Sequence, residues 1–301
     1  MSININIATA PVSWGVLMKD TPNVPPYGQV LDEIVAAGYT GTELGPYGYL
    51  PFEVEQLKDE LGSRGLTLIS AFTLINYADP KALPDVYEEA ITTAKVLSAM
   101  DCQYIVLSDS LFVVDNRAQR AGRIRPEDSL NTAGWDKAGA NVDEFAKMAW
   151  EELGLKTVIH PHVGGYLEAD FEIDAVLERT NPENVGLCFD MAHIMYGGGD
   201  PVAVLDKWRD RVWYMHIKEC DQRVLDKVLA EEGDYFAGVE AGVFPEVGSG
   251  TVDWQSINRI LNEMNYEGWG TVEQDILPGM GVDAMACAKQ NRAFLQNELG
   301  W

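Results

Sequence analysis

The chain holds only four histidines, and His160, His162, His193 and His216 all stand at or just past the ends of short apolar runs. The runs are TVIHPH, VGLCFDMAH and VWYMHIKE, and a further run, GWGTVEQD, closes on Glu273. Imidazole and carboxylate gathered in one place suit a divalent transition metal. Each residue also has a plainer explanation as a cap or a satisfied core group, but repetition at one end of successive runs favours a single polar cluster. Asp190 closes an otherwise apolar segment, and a lone buried carboxylate is costly unless it is paired or metal-bound. His160 and His162 flank Pro161, so on an extended segment they point the same way. One can be a ligand while the other meets a substrate. We place His160 in the ligand set, with Asp190, His216 and Glu273.

Other polar residues fall near the same run ends. His193 lies three past Asp190 and converges on the site if the chain turns there. Lys218, two past His216, can donate to a substrate hydroxyl or carbonyl, though a solvated loop lysine fits the spacing equally well. Glu43 ends the run GTELG and can accept from a substrate hydroxyl or pair inside the core. Trp14 ends the first run, where it can wall the apolar face of a ring; core packing is the commoner fate of tryptophan.

The elements that must position these residues alternate strand and helix. Strands are expected at INIATAPVSW, GTELG, TLISAFTL, QYIVLSD, KTVIHPH, VGLCFDMAH, VWYMHIKE and GTVEQD. Amphipathic stretches such as YGQVLDEIVAAG and DWQSINRILNEM lie between them, and several stop at a glycine: Gly38, Gly65 and Gly154. The spacing of strand ends matches repeated β-loop-α units. Two longer intervals imply inserted loops, one after strand four (residues 111–139) and one after strand seven (residues 221–252). Eight units without a break in composition indicate one closed (β/α)8 barrel spanning residues 1–301 as a single domain. A doubly wound open sheet would carry a glycine-rich turn after the first strand, and PVSWGVL is not one. In such a barrel the C-terminal strand ends form one rim, so Glu43, His160, Asp190, His216 and Glu273 face one mouth.

Bulk composition narrows the partners. A net charge of −25 repels nucleic acid and anionic lipid, and a neutral small molecule suits it better than a sugar phosphate. No run of about 18 apolar residues suggests a membrane span, and the first residues lack a basic start and an apolar signal core. Cys102, Cys188, Cys220 and Cys287 form no CxxC pair. Reduced, buried thiols in a cytoplasmic protein are expected.

Over nearly its full length the chain resembles the xylose-isomerase-like sugar isomerase/epimerase superfamily of TIM barrels. The resemblance rests on VGLCFDMAH, YMHIKE and GTVEQD. Within it the chain is most similar to the inosose dehydratase family, through APVSWGV, GYTGTELGPYGYLP, VIHPHVGGYLE, and VEAGVFPEVGSGTVD followed by YEGWGTVEQD. The superfamily binds one divalent metal through Glu, Asp, His and Glu; Asp190, His216 and Glu273 match, while strand five carries His-Pro-His in place of the first Glu. The resemblance implies a hydro-lyase that removes water from 2-keto-myo-inositol, with manganese or cobalt as cofactor and zinc or magnesium as alternatives. It also implies Glu273 as ligand and base, His162, His193 or Lys218 as acid or substrate contact, and Glu168 as a further partner for a substrate hydroxyl. An isomerase or epimerase on the same frame is the alternative. A barrel nuclease would need more ligands and a basic face. Association into a homo-oligomer is compatible with a barrel of this type, with the inserted loops as the place for a lid or partner contact.

Overall fold

The computed structural model describes residues 3–18 and 21–301. Its nine strands are β1 Asn4–Thr9, β2 Gly41–Thr42, β3 Thr67–Leu68, β4 Phe72–Ile75, β5 Tyr104–Asp109, β6 Lys156–Ile159, β7 Val185–Asp190, β8 Val212–Ile217 and β9 Glu267–Val272. All pair in parallel, in the order β3-β2-β1-β9-β8-β7-β6-β5-β4. β3 and β4 are the two halves of the expected third strand. The first half pairs with β2 and the second with β5, so the segment 67–75 joins the two ends of the sheet and the barrel curls shut through it. The break falls where the chain changes partners, and the Ser70 hydroxyl bridges it by donating to the Tyr104 carbonyl at 3.1 Å.

The first strand is shorter than expected. It ends at Thr9, and Pro11–Trp14 forms a 3₁₀ turn that stops at Gly15, whose φ of 81° is open to glycine at little cost. Proline has no N–H for a sheet ladder, and its fixed φ suits the start of a helical turn. The stops expected at Gly38, Gly65 and Gly154 all have positive φ.

Side chains alternate across each strand, which creates two cores. One face packs against the surrounding helices. The other fills the barrel with Ala8, Ile69, Val106, Val158, Cys188 and Tyr214. Both insertions carry structure. The first contains a short helix, Asp115–Gln119, and the following helix begins at Thr132 rather than near 140 because Asn131 caps it, accepting from Gly134 N. The second contains helices Gln222–Ala230 and Tyr235–Glu240. The insertions meet over the mouth: Phe112 packs on Tyr235 and Phe236, and Arg123 donates to the Gly233 carbonyl. No helix among the described residues is long and apolar enough to cross a membrane.

Candidate metal centre and active site

The barrel-filling layer dictates what stands above it. Val158, Cys188 and Tyr214 point inward, so the residues two further along, His160, Asp190 and His216, point inward one layer higher. A register shift between Leu187 and Cys188 brings Asp190 level with His216. Glu273, one residue past the end of β9, keeps the ladder by donating its N–H to the Ile217 carbonyl. The four side chains can each offer one atom such that all lie within 4.8 Å of one another, and all four are buried.

The wiring of this tier leaves donor atoms aimed at a common point. One Asp190 oxygen caps the helix Met191–Tyr196 by accepting from Ala192 N and His193 N. The other, Oδ2, has no hydrogen-bond partner, nor does either ring nitrogen of His160 or Nδ1 of His216. His216 Nε2 lies 3.0 Å from Glu43 Oε1, which also accepts from the Tyr214 hydroxyl at 2.7 Å. Once the Nε2 proton is committed to Glu43, Nδ1 presents a lone pair to Glu273 Oε2 at 3.2 Å and Asp190 Oδ2 at 3.9 Å. Lys218 Nζ, 3.0 Å from Glu273 Oε2 and 3.7 Å from Asp190 Oδ2, compensates the two carboxylates from one side, and the lone pairs of His160 and His216 leave room for a further cation, a proton or a metal. Burial opposes charge on His216, but the carboxylates of Glu273 and Glu43 outweigh it and raise its pKa. Burial also opposes charge on Glu273 and Asp190. The neighbouring cations, His216 and Lys218 for Glu273 and chiefly Lys218 for Asp190, still hold both below the usual carboxylate range. Two imidazoles and two carboxylates fit a divalent transition metal. Cys188 could complete a smaller set with His160 and His216, but burial pushes its thiol up to about 12 and keeps it protonated.

A second tier stands two residues beyond the first: His162 past His160, Lys218 past His216, and Asp275 past Glu273. Lys218 Nζ donates to Asp275 Oδ1 at 2.9 Å and lies 3.0 Å from Glu273 Oε2. Burial works against its charge, yet Asp275, Glu273 and Asp190 hold it cationic. It also reaches His193 Nε2 at 3.2 Å. An ammonium group can only donate, so that nitrogen accepts. His162 Nδ1 lies 2.8 Å from the Val163 carbonyl, which can only accept, so the ring proton sits there and Nε2 carries the lone pair. Burial, His160 and Lys218 drop the His162 pKa to about 3, so the ring is neutral. It lies against His193, with ring centroids 3.8 Å apart.

The frame around this tier explains other expected residues. His160, His162, Glu43, Lys218 and Glu273 line a cavity of about 650 Å³. Trp14 is buried beside it but donates its indole N–H to Glu33 on the helix Tyr27–Ala36, since the early end of β1 turns the ring toward that helix. Glu168 also lies away from the lining: its carboxylate accepts from Gly122 N and Gly164 N and so ties the first insertion to the histidine loop. Arg117, fully buried, braces the same loop through both oxygens of Glu172 and the Gly165 carbonyl. Removing one partner of such a pair costs about 3–5 kcal/mol.

The relatives agree with this architecture. A family model described as a xylose isomerase-like TIM barrel matches residues 31–297. An inosose dehydratase from Geobacillus kaustophilus (strain HTA426) is 31% identical over 277 residues, covering 91% of this chain and 88% of that protein. The chain belongs to the inosose dehydratase family. A family member from Clostridium beijerinckii is 28% identical over 298 residues, covering 99% of this chain and 98% of its own. Among solved structures, the IolI protein with a bound zinc atom superposes with a TM-score of 0.71 at 13% identity, covering 98% of each chain. A probable 3-DHS dehydratase from Bacillus anthracis gives 0.68 at 13% identity, covering 97% of this chain and 99% of that one. At such identities these structures speak for the fold.

Asp275, Tyr235, Phe72 and Phe112 are among the lining residues to which the sequence reading gave no role. Asp275 carried a usable signal, since it stands two past Glu273 just as Lys218 stands two past His216. Tyr235, whose hydroxyl donates to Asp275 Oδ2 at 2.8 Å, comes from an insertion with no strand period to place it.

Proposed function

We propose that this chain is a metal-dependent hydro-lyase that removes water from 2-keto-myo-inositol to give a cyclic trihydroxy-dione. The observation that carries the reading is the buried His160, Asp190, His216 and Glu273 set beneath the cavity, in a chain of this family. His160, Asp190, His216 and Glu273 would hold one divalent cation, which supplies Lewis acidity at the ketone and a neighbouring hydroxyl. Two imidazole donors favour manganese, cobalt or zinc over magnesium, which prefers oxygen and keeps its water. Manganese and cobalt are our first choice.

The chain's own groups divide the proton work. His162 is neutral with its free lone pair on Nε2 and lines the cavity, which makes it the base for the proton next to the ketone. The same imidazolium then returns that proton to the departing hydroxyl, so the ring loses one water. Lys218, a standing cation fixed by Asp275, donates to the oxygen on which negative charge grows. Glu273, whose Oε2 already faces His216 Nδ1 and Lys218 Nζ, serves as ligand, whereas His162 Nε2 is uncommitted. His193 receives a hydrogen bond from Lys218 and backs His162. Glu43 orients His216.

Incubation of metal-loaded protein with 2-keto-myo-inositol, followed by mass spectrometry, tests the reading. The expected result is loss of one water, abolished by a chelator and restored by manganese or cobalt. A product of unchanged mass would assign the chain to the isomerases and epimerases instead.

A further inference from the structure

The cavity is larger than the proposed substrate requires, and its two sides differ. A ketocyclitol has about twelve non-hydrogen atoms. These take up at most about 360 Å³ even if each is allowed the ~30 Å³ of a water molecule in the liquid. The cavity measures about 650 Å³. Of its polar residues, His160, His162, Lys218, Glu273 and Asp275 stand past β6, β8 and β9, and Glu43, past β2, is taken up by Tyr214 and His216. The opposite arc of the sheet contributes the loop after β1, the strand β4 and the helix Pro84–Ala99, through Val16, Leu17, Leu74, Val86 and Ala90. Among the described residues that arc presents Thr73, Glu89 and Thr93 as its hydrogen-bonding side chains beside Tyr47 and Glu43. Thr73 spends its hydroxyl on the Val106 carbonyl at 2.8 Å, and Glu89 is already engaged. Ring hydroxyls placed against this wall would give up water without a replacement, whereas carbon would gain by leaving water.

We infer that the site accepts ketocyclitols bearing a short O-alkyl ether, with the ketone end on the polar tier and the alkyl group against Val16, Leu17, Leu74, Val86 and Ala90. The inference rests on the dehydratase reading and narrows its substrate class. The chemistry is unchanged. The proton beside the ketone and the β-hydroxyl leave together as one water, and the ether stays on the ring.

The test is a series of mono-O-methyl, O-ethyl and O-propyl ethers of 2-keto-myo-inositol, assayed beside the parent with metal-loaded enzyme. Each product is read for loss of one water with the ether retained. The expected result is that at least one positional series is dehydrated with kcat/KM no lower than the parent's, rising about three- to fourfold per added methylene until the space is filled. Val86→Phe and Ala90→Phe should each lower the ether-to-parent ratio of kcat/KM at least tenfold. Val86 is half-buried, so its variant carries the test if Ala90→Phe, at a fully packed position, does not fold. Dehydration of the parent with every ether at least tenfold poorer overturns the inference and leaves the dehydratase reading standing. An ether-to-parent ratio untouched by a folded Val86→Phe also overturns it. If neither parent nor ethers lose water, the dehydratase reading fails and the inference falls with it.

Discussion

In the proposed mechanism His162 and Glu273, about one layer apart, take different roles because of their position along a strand end. Glu273 faces His216 and Lys218 through Oε2, so its charge is committed to neighbouring cations and suits it to hold a metal. His162 lies one tier up, half-buried at the cavity wall, neutral, and tautomerically fixed by the Val163 carbonyl. Exchanging these two residues should therefore fail in different ways. Glu273→Gln should cost metal occupancy first, with bound metal per chain falling well below the wild-type value and activity falling with it. His162→Gln should keep full metal occupancy and lower kcat by ~10²–10⁴, the usual worth of a positioned proton-transfer group. Metal analysis of both purified variants beside their kcat values decides. If Glu273→Gln keeps its metal while kcat collapses, the proton-transfer role moves to Glu273.

Loops rather than strands hold the second tier in place, and one buried carboxylate joins them. Glu168 accepts backbone N–H groups from Gly122 and Gly164, and burial raises its pKa to about 7 from 4.5, outweighing those hydrogen bonds. The native state therefore keeps a proton that the unfolded chain has released between about pH 4.5 and 7. That contribution is present below 4.5 and is lost as pH rises through 7. Histidines with lowered pKa work in the opposite direction, so the test is the difference between wild type and Glu168→Gln, which does not titrate. Urea unfolding at pH 5 and pH 8 should show the variant gaining on wild type at pH 8 by up to ~3 kcal/mol. An unchanged difference would mean that Glu168 is ionised in the fold throughout. Such loop pins were not legible in the sequence, where Glu168 read as a substrate contact. The strand ends were legible, because period two aims Asp190 and His216 inward from runs whose apolar alternation is visible in the letters. Trp14 was misplaced because Pro11 ends the pairing of β1 early. Tyr235 was missed because only folding brings it 40 residues along the chain to Asp275.

The whole molecule carries 47 acidic side chains against 22 basic ones, a net charge of −25. The four buried carboxylates of the site, Glu43, Asp190, Glu273 and Asp275, account for little of it, and most of the excess lies on the surface, where like charges repel more strongly in the compact state than in an expanded chain. Screening should relieve this repulsion, since the Debye length falls from about 30 Å at 0.01 M salt to about 3 Å at 1 M. Surface ion pairs pull the other way, but pairs such as Lys58–Glu55 and Lys147–Glu151 are exposed and contribute little. Sodium chloride is the right probe because neither ion competes for the imidazole and carboxylate donors. Metal-loaded protein scanned from 10 mM to 1 M salt should therefore gain thermal stability, with Tm rising about 2–4 °C for each kcal/mol of repulsion removed. A Tm that falls with salt would show that paired charges dominate the surface. The same negative field would slow the approach of a phosphorylated ligand to the mouth, whereas a neutral polyol ketone, as proposed, meets no such repulsion.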